Sequence, residues 1–170
     1  MSEKIQIRLM RESDLPAMEW GGEFACYRRV FREILRAQER GISKAFLAFT
    51  ESGEVVGQVF LTRKFPNPDY SPNDPYLFLT SFRVKPAFQG RGLGGRLLRR
   101  CVVSAWEEKI PALLLNCSLS NKSAYRFYLH HGFQLVREMV CRWSFVDQYG
   151  EVHNECEAAY LLRKDVFWNL

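Results

Sequence analysis

The stretch Val84-Lys85-Pro86-Ala87-Phe88-Gln89-Gly90-Arg91-Gly92-Leu93-Gly94-Gly95 decides the fold. Before it lies a near-continuous apolar run, Tyr76–Val84. After it, Leu93, Leu97, Leu98, Cys101, Val102 and Ala105 recur at helical spacing, ending before Pro111. A strand therefore ends, the chain turns, and glycines open a helix. The first turn of a helix exposes unpaired N–H groups at the positive end of its dipole, and glycines let an anion approach them. The turn reads as a phosphate cradle, the plain alternative being a tight strand-to-helix turn with no ligand. A Walker loop is excluded because no Gly-Lys-Ser/Thr follows. Gly90, Gly92 and Gly95 do spell GxGxxG, but the dinucleotide pattern requires an acid at the end of the next strand. Here that strand ends Leu115-Asn116-Cys117, and the turn lies mid-chain.

Toward the C-terminus, Ala112–Cys117 is a short strand, apolar but for Asn116, as expected when both faces are covered. Asn121–His131 is a helix stopped by Gly132. Gln134–Val146 and Cys156–Lys164 alternate around Asp147-Gln148-Tyr149-Gly150 as a closing antiparallel pair. Toward the N-terminus, Glu51-Ser52-Gly53-Glu54 joins the apolar runs Ala45–Thr50 and Val55–Phe65 into a hairpin. Ile5, Ile7 and Leu9 alternate as a first strand. Ser13 is the expected N-cap of a first helix, with Pro16 in its first turn. Phe24, Tyr27, Phe31, Ile34, Leu35 and Gln38 mark a second helix, closed by Gly41. Four of the seven prolines fall between Phe65 and Pro75, so that segment is a loop, either lining a site or merely connecting strands. The order β-α-α-β-β-β-α-β-α-β-β holds one central strand–helix–strand crossover. It predicts an α/β (α+β) fold: one domain over residues 1–170, with a central mixed sheet and helices on both faces.

The chain has 170 residues, 47% apolar and 25% charged, enough to bury roughly two thirds of its unfolded surface without disulfides or a structural metal. A mean hydropathy of −0.23, with no apolar run of about 18 residues, predicts no transmembrane span. The charged, alternating N-terminal stretch shows neither a signal nor a transit pattern, so a cytoplasmic location is expected. The five cysteines are odd in number and scattered, which reads as buried, reduced thiols. His130, His131 and His153 form no metal-ligand spacing, and no metal is expected. The net charge of +5 is compatible with nucleic acid, a membrane surface or an anionic small ligand. Its densest group is Arg83, Lys85, Arg91, Arg96, Arg99 and Arg100, around the glycine turn, which favours a phosphate-bearing small ligand over nucleic acid or a membrane. A solvated helix face also explains the last three.

The run Phe82-Arg83-Val84-Lys85-Pro86, followed by Gln89-Gly90-Arg91-Gly92-Leu93-Gly94, resembles the acyl-CoA signature of the GNAT superfamily of N-acetyltransferases: Gln/Arg-x-x-Gly-x-Gly/Ala after Val-x-Pro. Asn121, Ala124, Tyr128 and Gly132-Phe133 resemble a second signature of that family, and the element order is similar from Ile5 to Lys164. The resemblance implies a mostly antiparallel sheet of about seven strands whose parallel pair splays apart. It implies acetyl-CoA as co-substrate, with the backbone of Phe82, Arg83 and Val84 pairing with the pantetheine arm. The amides of Gln89, Gly90, Arg91, Gly92, Leu93 and Gly94 would hold the pyrophosphate, and the Asn121 side chain would contact the cofactor. Tyr128 would be the general acid for the departing thiolate; as residues alone, without the motif, it reads first as a core aromatic beside Ala124 and Phe127.

The implied function is acetyl transfer to a primary amine of a small molecule or peptide, by a monomer or homodimer. The alternative is a non-catalytic acyl-CoA sensor or interaction module of the same fold. One departure keeps that alternative in view: a frequent glutamate base twelve positions ahead of the tyrosine is Asn116 here. Glu23, Asp74, Glu138 or a water chain then stand as candidate bases, and an amine arriving neutral needs none. Glu23, Asp74 and Asn116 are the expected acceptor-side residues. The acceptor is expected among the second helix, the proline-rich loop and the final hairpin. There Glu19, Glu23, Glu33, Asp69 and Asp74 either draw an ammonium group or are solvated surface. Asp147, Glu151, Glu155 and Glu157 read as a solvated hairpin tip, the alternative being a set that attracts a cationic amine. Cys117 offers an acetyl-cysteine route, weakened by the absence of a histidine with reason to lie beside it.

Overall fold

The computed structural model describes residues 3–167. Met1 and Ser2, which begin the N-terminal stretch read above, and residues 168–170 lie outside the described residues, as do the two ends of the domain expected over 1–170. Seven strands follow in chain order: β1 (Gln6–Leu9), β2 (Ser43–Phe49), β3 (Val55–Lys64), β4 (Tyr76–Val84), β5 (Ala112–Ser118), β6 (Gln134–Val146) and β7 (Val152–Asp165). The α-helices are α1 (Arg28–Glu39), α2 (Leu93–Glu107) and α3 (Lys122–His130), with short 3-10 segments at Glu12–Gly22, Ala25–Tyr27 and Pro86–Phe88. The strands form one mixed sheet in the order β1-β2-β3-β4-β5-β7-β6, with helices on both faces. The central pair β4–β5 is parallel, while β1–β2 and β5–β7 are antiparallel. Among the described residues no helix is long and apolar enough to cross a membrane.

Residue contacts gather into two units. One holds the chain up to Phe60 with Ser81–Leu98 and Ser144–Asn154; the other holds Leu61–Thr80, Arg99–Trp143 and the chain from Glu155 on. In the first unit α1 buries Phe31 and Leu35, one turn apart, against Met10, Met18, Ala45, Leu47, Phe49 and Phe60. Val30, Ile34, Ala37 and Gln38 apart, its other positions are charged, the division expected of a helix covering one face of a sheet. Gln38 fastens the helix to the strands: its Nε2 donates to the Met10 carbonyl at 2.9 Å, and its Oε1 accepts from the Ala45 N–H at 3.0 Å.

The first helix departs from expectation. It is a 3-10 segment, and Trp20 and Gly21 near its end are left-handed (φ 49° and 71°). Its start is fixed by Asp14 rather than by Ser13, which is exposed. The Asp14 carboxylate accepts from the Arg11 N–H at 2.7 Å and from both terminal nitrogens of Arg8 at 2.7 and 2.9 Å. Burial alone would raise the Asp14 carboxyl. The hydrogen bonds from Arg8 and the Arg11 N–H outweigh it and hold the carboxyl below its ordinary value.

The closing turn also differs from a solvated tip. Asp147 is buried. Its Oδ1 accepts from the N–H groups of Tyr149 and Glu151 at 2.9 and 3.0 Å, and its Oδ2 meets His153 Nε2 at 2.7 Å. Asp147, Glu151 and His153 thereby come within ligand spacing of one another, a grouping that sequence spacing did not suggest. The oxygens of Asp147 already accept the turn's own donors, so the cluster is accounted for by closure of the hairpin.

In the second unit β5 is buried through Leu113, Leu114 and Leu115 and pairs with β7 from Ala112–Asp165 to Ser118–Ala159. The parallel register with β4 covers only Leu77–Leu113 and Phe78–Leu114. The proline-rich loop is ordered rather than open. Asn67 N–H donates to the Ser71 carbonyl at 2.8 Å, and Asn67 Oδ1 accepts from the Asp69 N–H at 2.8 Å, a side-chain-closed turn. Between them the loop projects Tyr70, packed against Tyr76 and Phe78 at 6.2 and 5.5 Å. All five cysteines are free, but burial is not uniform. Cys101, Cys117 and Cys141 are buried, Cys26 is half-buried, and Cys156, on an exposed stretch of β7, is open to solvent.

Candidate active site

The glycine turn is assembled within the first unit. Val84 closes β4, and Lys85 N–H donates to the Val56 carbonyl at 2.8 Å. The 3-10 segment Pro86–Phe88 reverses the chain, and Gln89 Nε2 ties back to the Val84 carbonyl at 2.8 Å. Gly90 and Gly92 are left-handed, with φ of 71° and 80°, a region costly to residues with a Cβ. Among the described residues, no N–H from Gly90 to Gly95 meets a protein acceptor in hydrogen-bond geometry. Leu93 is buried and anchors the start of α2, while Arg91 is exposed beside the Phe88 ring. A row of unpaired amides at a helix N-terminus, open to approach at Gly90 and Gly92, suits an anionic oxygen ligand.

Two of the basic residues around the turn are engaged elsewhere: Lys85 pairs with Glu54 at 2.5 Å, and Arg96 donates to the Ile5 carbonyl at 2.7 Å. Arg83 also turns away from the glycines. Its guanidinium lies 3.5 Å over the Phe24 ring, with Trp20, Tyr27 and Phe31 between 5.6 and 5.9 Å. Burial pushes it down to about 10, opposed by Tyr27, Glu23 and Cys26, so it stays charged at neutral pH. Its Nε has no hydrogen-bond partner. Glu23 is exposed beside this cage. Phe82 and Val84 are half-buried.

Ahead of them, Ser81 is left-handed (φ 51°) inside β4, an unusual state for a residue with a Cβ. The Ser81 carbonyl accepts from Gln58 Nε2 at 3.2 Å. Gln58 is fully buried, with its Oε1 unpartnered. Neither residue was marked by sequence reasoning. A lone glutamine inside the apolar run Val55–Leu61 was the available signal.

The remaining expected residues belong to the second unit. Asn116 is half-buried near the end of β5. Its Nδ2 donates to Tyr70 Oη at 3.4 Å, and its Oδ1 is buried with no donor. Tyr70 was also missed; a single aromatic among the loop prolines was its only signal. Burial, then the negative charge of Glu157, pushes the Cys117 thiol up, although Lys122 opposes this. Such a thiol is a poor nucleophile. Asn121 caps α3, its Oδ1 accepting from the Ala124 N–H at 3.1 Å.

Tyr128, two turns along α3, is 9% exposed and packs edge-on against Phe127 and Phe133 at 5.4 and 5.5 Å. Burial first, then Cys117 and Cys101, pushes its phenol well above the ordinary tyrosine range. The proton therefore stays on the oxygen at neutral pH. Asp74 faces Arg163 at 3.5 Å, and Glu138 is exposed on β6. The cradle, Arg83 and Glu23 thus lie in one unit, and Asn116, Asn121, Tyr128 and Asp74 in the other.

The model of the acetyltransferase (GNAT) family matches residues 7–133. No curated protein is significantly similar in sequence. Solved structures are similar in fold. Arabidopsis thaliana NAA60 in complex with a bisubstrate analogue aligns with a TM-score of 0.70 at 17% identity, over 96% of this chain and 98% of its own. The ribosomal-protein-S18-alanine N-acetyltransferase of Escherichia coli gives 0.64 at 20% identity, over 98% and 99%. PaiA N-acetyltransferase of Thermoplasma acidophilum, in complex with coenzyme A, gives 0.67 at 17%, over 95% and 99%.

Proposed function

Because the chain belongs to the acetyltransferase (GNAT) family, we propose that it moves an acetyl group from acetyl-CoA to a primary amine by direct attack. The observation that carries this reading is the row of unpaired amides from Gly90 to Gly95, which falls inside the matched family segment. The amides from Gly90 to Gly94 hold the pyrophosphate, whereas the Gln89 N–H is already bonded to the Pro86 carbonyl at 3.2 Å. The backbone of Phe82, Arg83 and Val84 pairs with the pantetheine arm, and Asn121 contacts the cofactor. The Arg83 side chain, committed to its aromatic cage, serves the strand's shape rather than the cofactor.

The amine nitrogen attacks the thioester carbon, and negative charge builds on the carbonyl oxygen, where a fixed N–H stabilises it. As the C–S bond breaks, the Tyr128 phenol gives its proton to the leaving thiolate. The ammonium proton of the tetrahedral adduct leaves to water or to Glu23. Asp74 is held by Arg163 and is the weaker base. Asn116 cannot take a proton; its unpartnered Oδ1 instead accepts an N–H from the incoming amine. The reading extends to a cytoplasmic monomer or homodimer, working without metal, nucleic acid or membrane.

Asn116 is also the residue that favours a second reading, an acyl-CoA sensor with no turnover. Thiol release from acetyl-CoA, measured across small amines, polyamines, amino acids and peptide N-termini, separates the two. Amine-dependent release is expected for at least one class. Tight acetyl-CoA binding with no release above the amine-free rate for any of them would leave the sensor.

A further inference from the structure

A pocket of about 360 Å³ opens between α1 and the β6–β7 turn, lined by Arg28, Arg29, Arg32, Glu33, Arg36 and Gln148. Its size suits a small ligand or the end of a peptide. Sequence reading expected carboxylates on this side, drawing an ammonium group. The pocket has the opposite charge. Arg28 is paired with Glu19 at 2.6 Å, whereas the guanidinium groups of Arg29, Arg32 and Arg36 form no ion pair among the described residues. Three unpaired arginines therefore face one carboxylate, Glu33. Arg28, Arg32 and Arg36 also stand four residues apart along one helix face, where like charges repel. A helix that holds such a row against a concave wall is suited to an oxyanion, which arginine's planar fork binds in bidentate fashion.

Two further features point to a ligand. The Gln148 Oε1 is buried without a donor, so an N–H or O–H of the ligand would complete it. The turn approaches the arginines closely: a Cβ on Gly150 would sit 3.4 Å from Arg29 Nη2. Tyr27, next to Arg28, lies 4.8 Å from the Phe145 ring on one side and 5.9 Å from the Arg83 guanidinium on the other.

We propose that this pocket selects the acceptor, and that the acceptor is an amine bearing at least two acid groups, carboxylate or phosphate. The word acceptor rests on the acyl-transfer reading above; the pocket's preference for an oxyanion stands on its own lining.

The test uses the full chain saturated with acetyl-CoA, so that the glycine cradle is filled. Citrate and inorganic pyrophosphate are titrated in by calorimetry. At least one is expected to bind, and Arg29→Glu/Arg32→Glu is expected to weaken it about tenfold or more. Stronger binding of citrate assigns carboxylate acceptors, and stronger binding of pyrophosphate assigns phosphate acceptors. Three amines of matched length, carrying two carboxylates, no charge or two ammonium groups, are then compared as acceptors. The diacid is expected to lead in kcat/KM by about tenfold, and the double variant to reverse the order. Arg29→Gln/Arg32→Gln, which removes charge without inverting it, should fall between the two, with all three proteins melting alike. Binding of neither probe, binding unchanged in the variants, or acetylation without charge preference overturns the proposal. Probe binding lost in the variants, with no amine acetylated, upholds the oxyanion pocket and removes the acyl-transfer reading instead.

Discussion

Replacing Gly92 with valine is expected to weaken acetyl-CoA binding about a hundredfold in calorimetric titration, roughly 2.7 kcal/mol. Gly92 stands at φ 80°, with nothing within 4 Å of where a Cβ would go, so the new side chain strikes no protein atom. Its effect comes from two other sources. A β-branched residue held left-handed costs roughly 1–2 kcal/mol and pulls the turn toward other conformations. Its methyls also stand over the N–H row that the phosphate oxygens must reach. The strain term alone also lowers the melting temperature, by a few degrees on the order of 1 kcal/mol. The ligand term appears only in the titration, so the two are separable on one sample. Affinity equal to wild type would remove the glycine turn from the cofactor site.

Tyr128→Phe is expected to lower kcat by about a hundredfold or more while leaving acetyl-CoA affinity intact. The ring packing against Phe127 and Phe133 survives the change. The pH profile carries a second readout. Burial raises the phenol, which means that the proton-donating form persists to higher pH than for an exposed tyrosine. Wild-type kcat should therefore show no falling alkaline limb from this group below about pH 10. A limb near pH 8 that disappears in Tyr128→Phe, or a variant that retains the full rate at neutral pH, would contradict the assignment.

Much of this was legible because local signals and tertiary structure agree. Gly90 and Gly92 were read as part of a strand-to-helix turn, and the turn is there. Asn121 was read as the start of a helix, and its side chain caps that helix. The features that escaped depend on partners far away in sequence. Ser13 was the expected cap; Asp14 prevails because Arg8, on β1, adds two charged hydrogen bonds that a hydroxyl cannot match. Arg83 read as one of the cations around the glycines. The left-handed Ser81 two residues earlier interrupts strand alternation, and the guanidinium stacks instead on rings from Trp20 to Phe31. The arginine row on the surface of α1 carried no reading of its own; only the acids near it did. Gln148, which turns that surface into a pocket wall, arrives from the last hairpin. Asp147 read as one more hairpin acid, although its oxygens hold the turn's amides and His153. None of these partnerships leaves a periodicity or a spacing to read.

The central claim is that the acetyl group passes from sulfur to an amine nitrogen on this protein. It is tested most directly by a single-turnover mix of excess protein with acetyl-CoA isotopically labelled in the acetyl group and an amine acceptor, quenched over time and read by mass spectrometry. The account predicts that label appears on the amine nitrogen in step with the loss of acetyl-CoA, with no labelled protein accumulating between them. Label recovered as free acetate, retained on Cys117, or left on CoA while the complex remains saturated would contradict it.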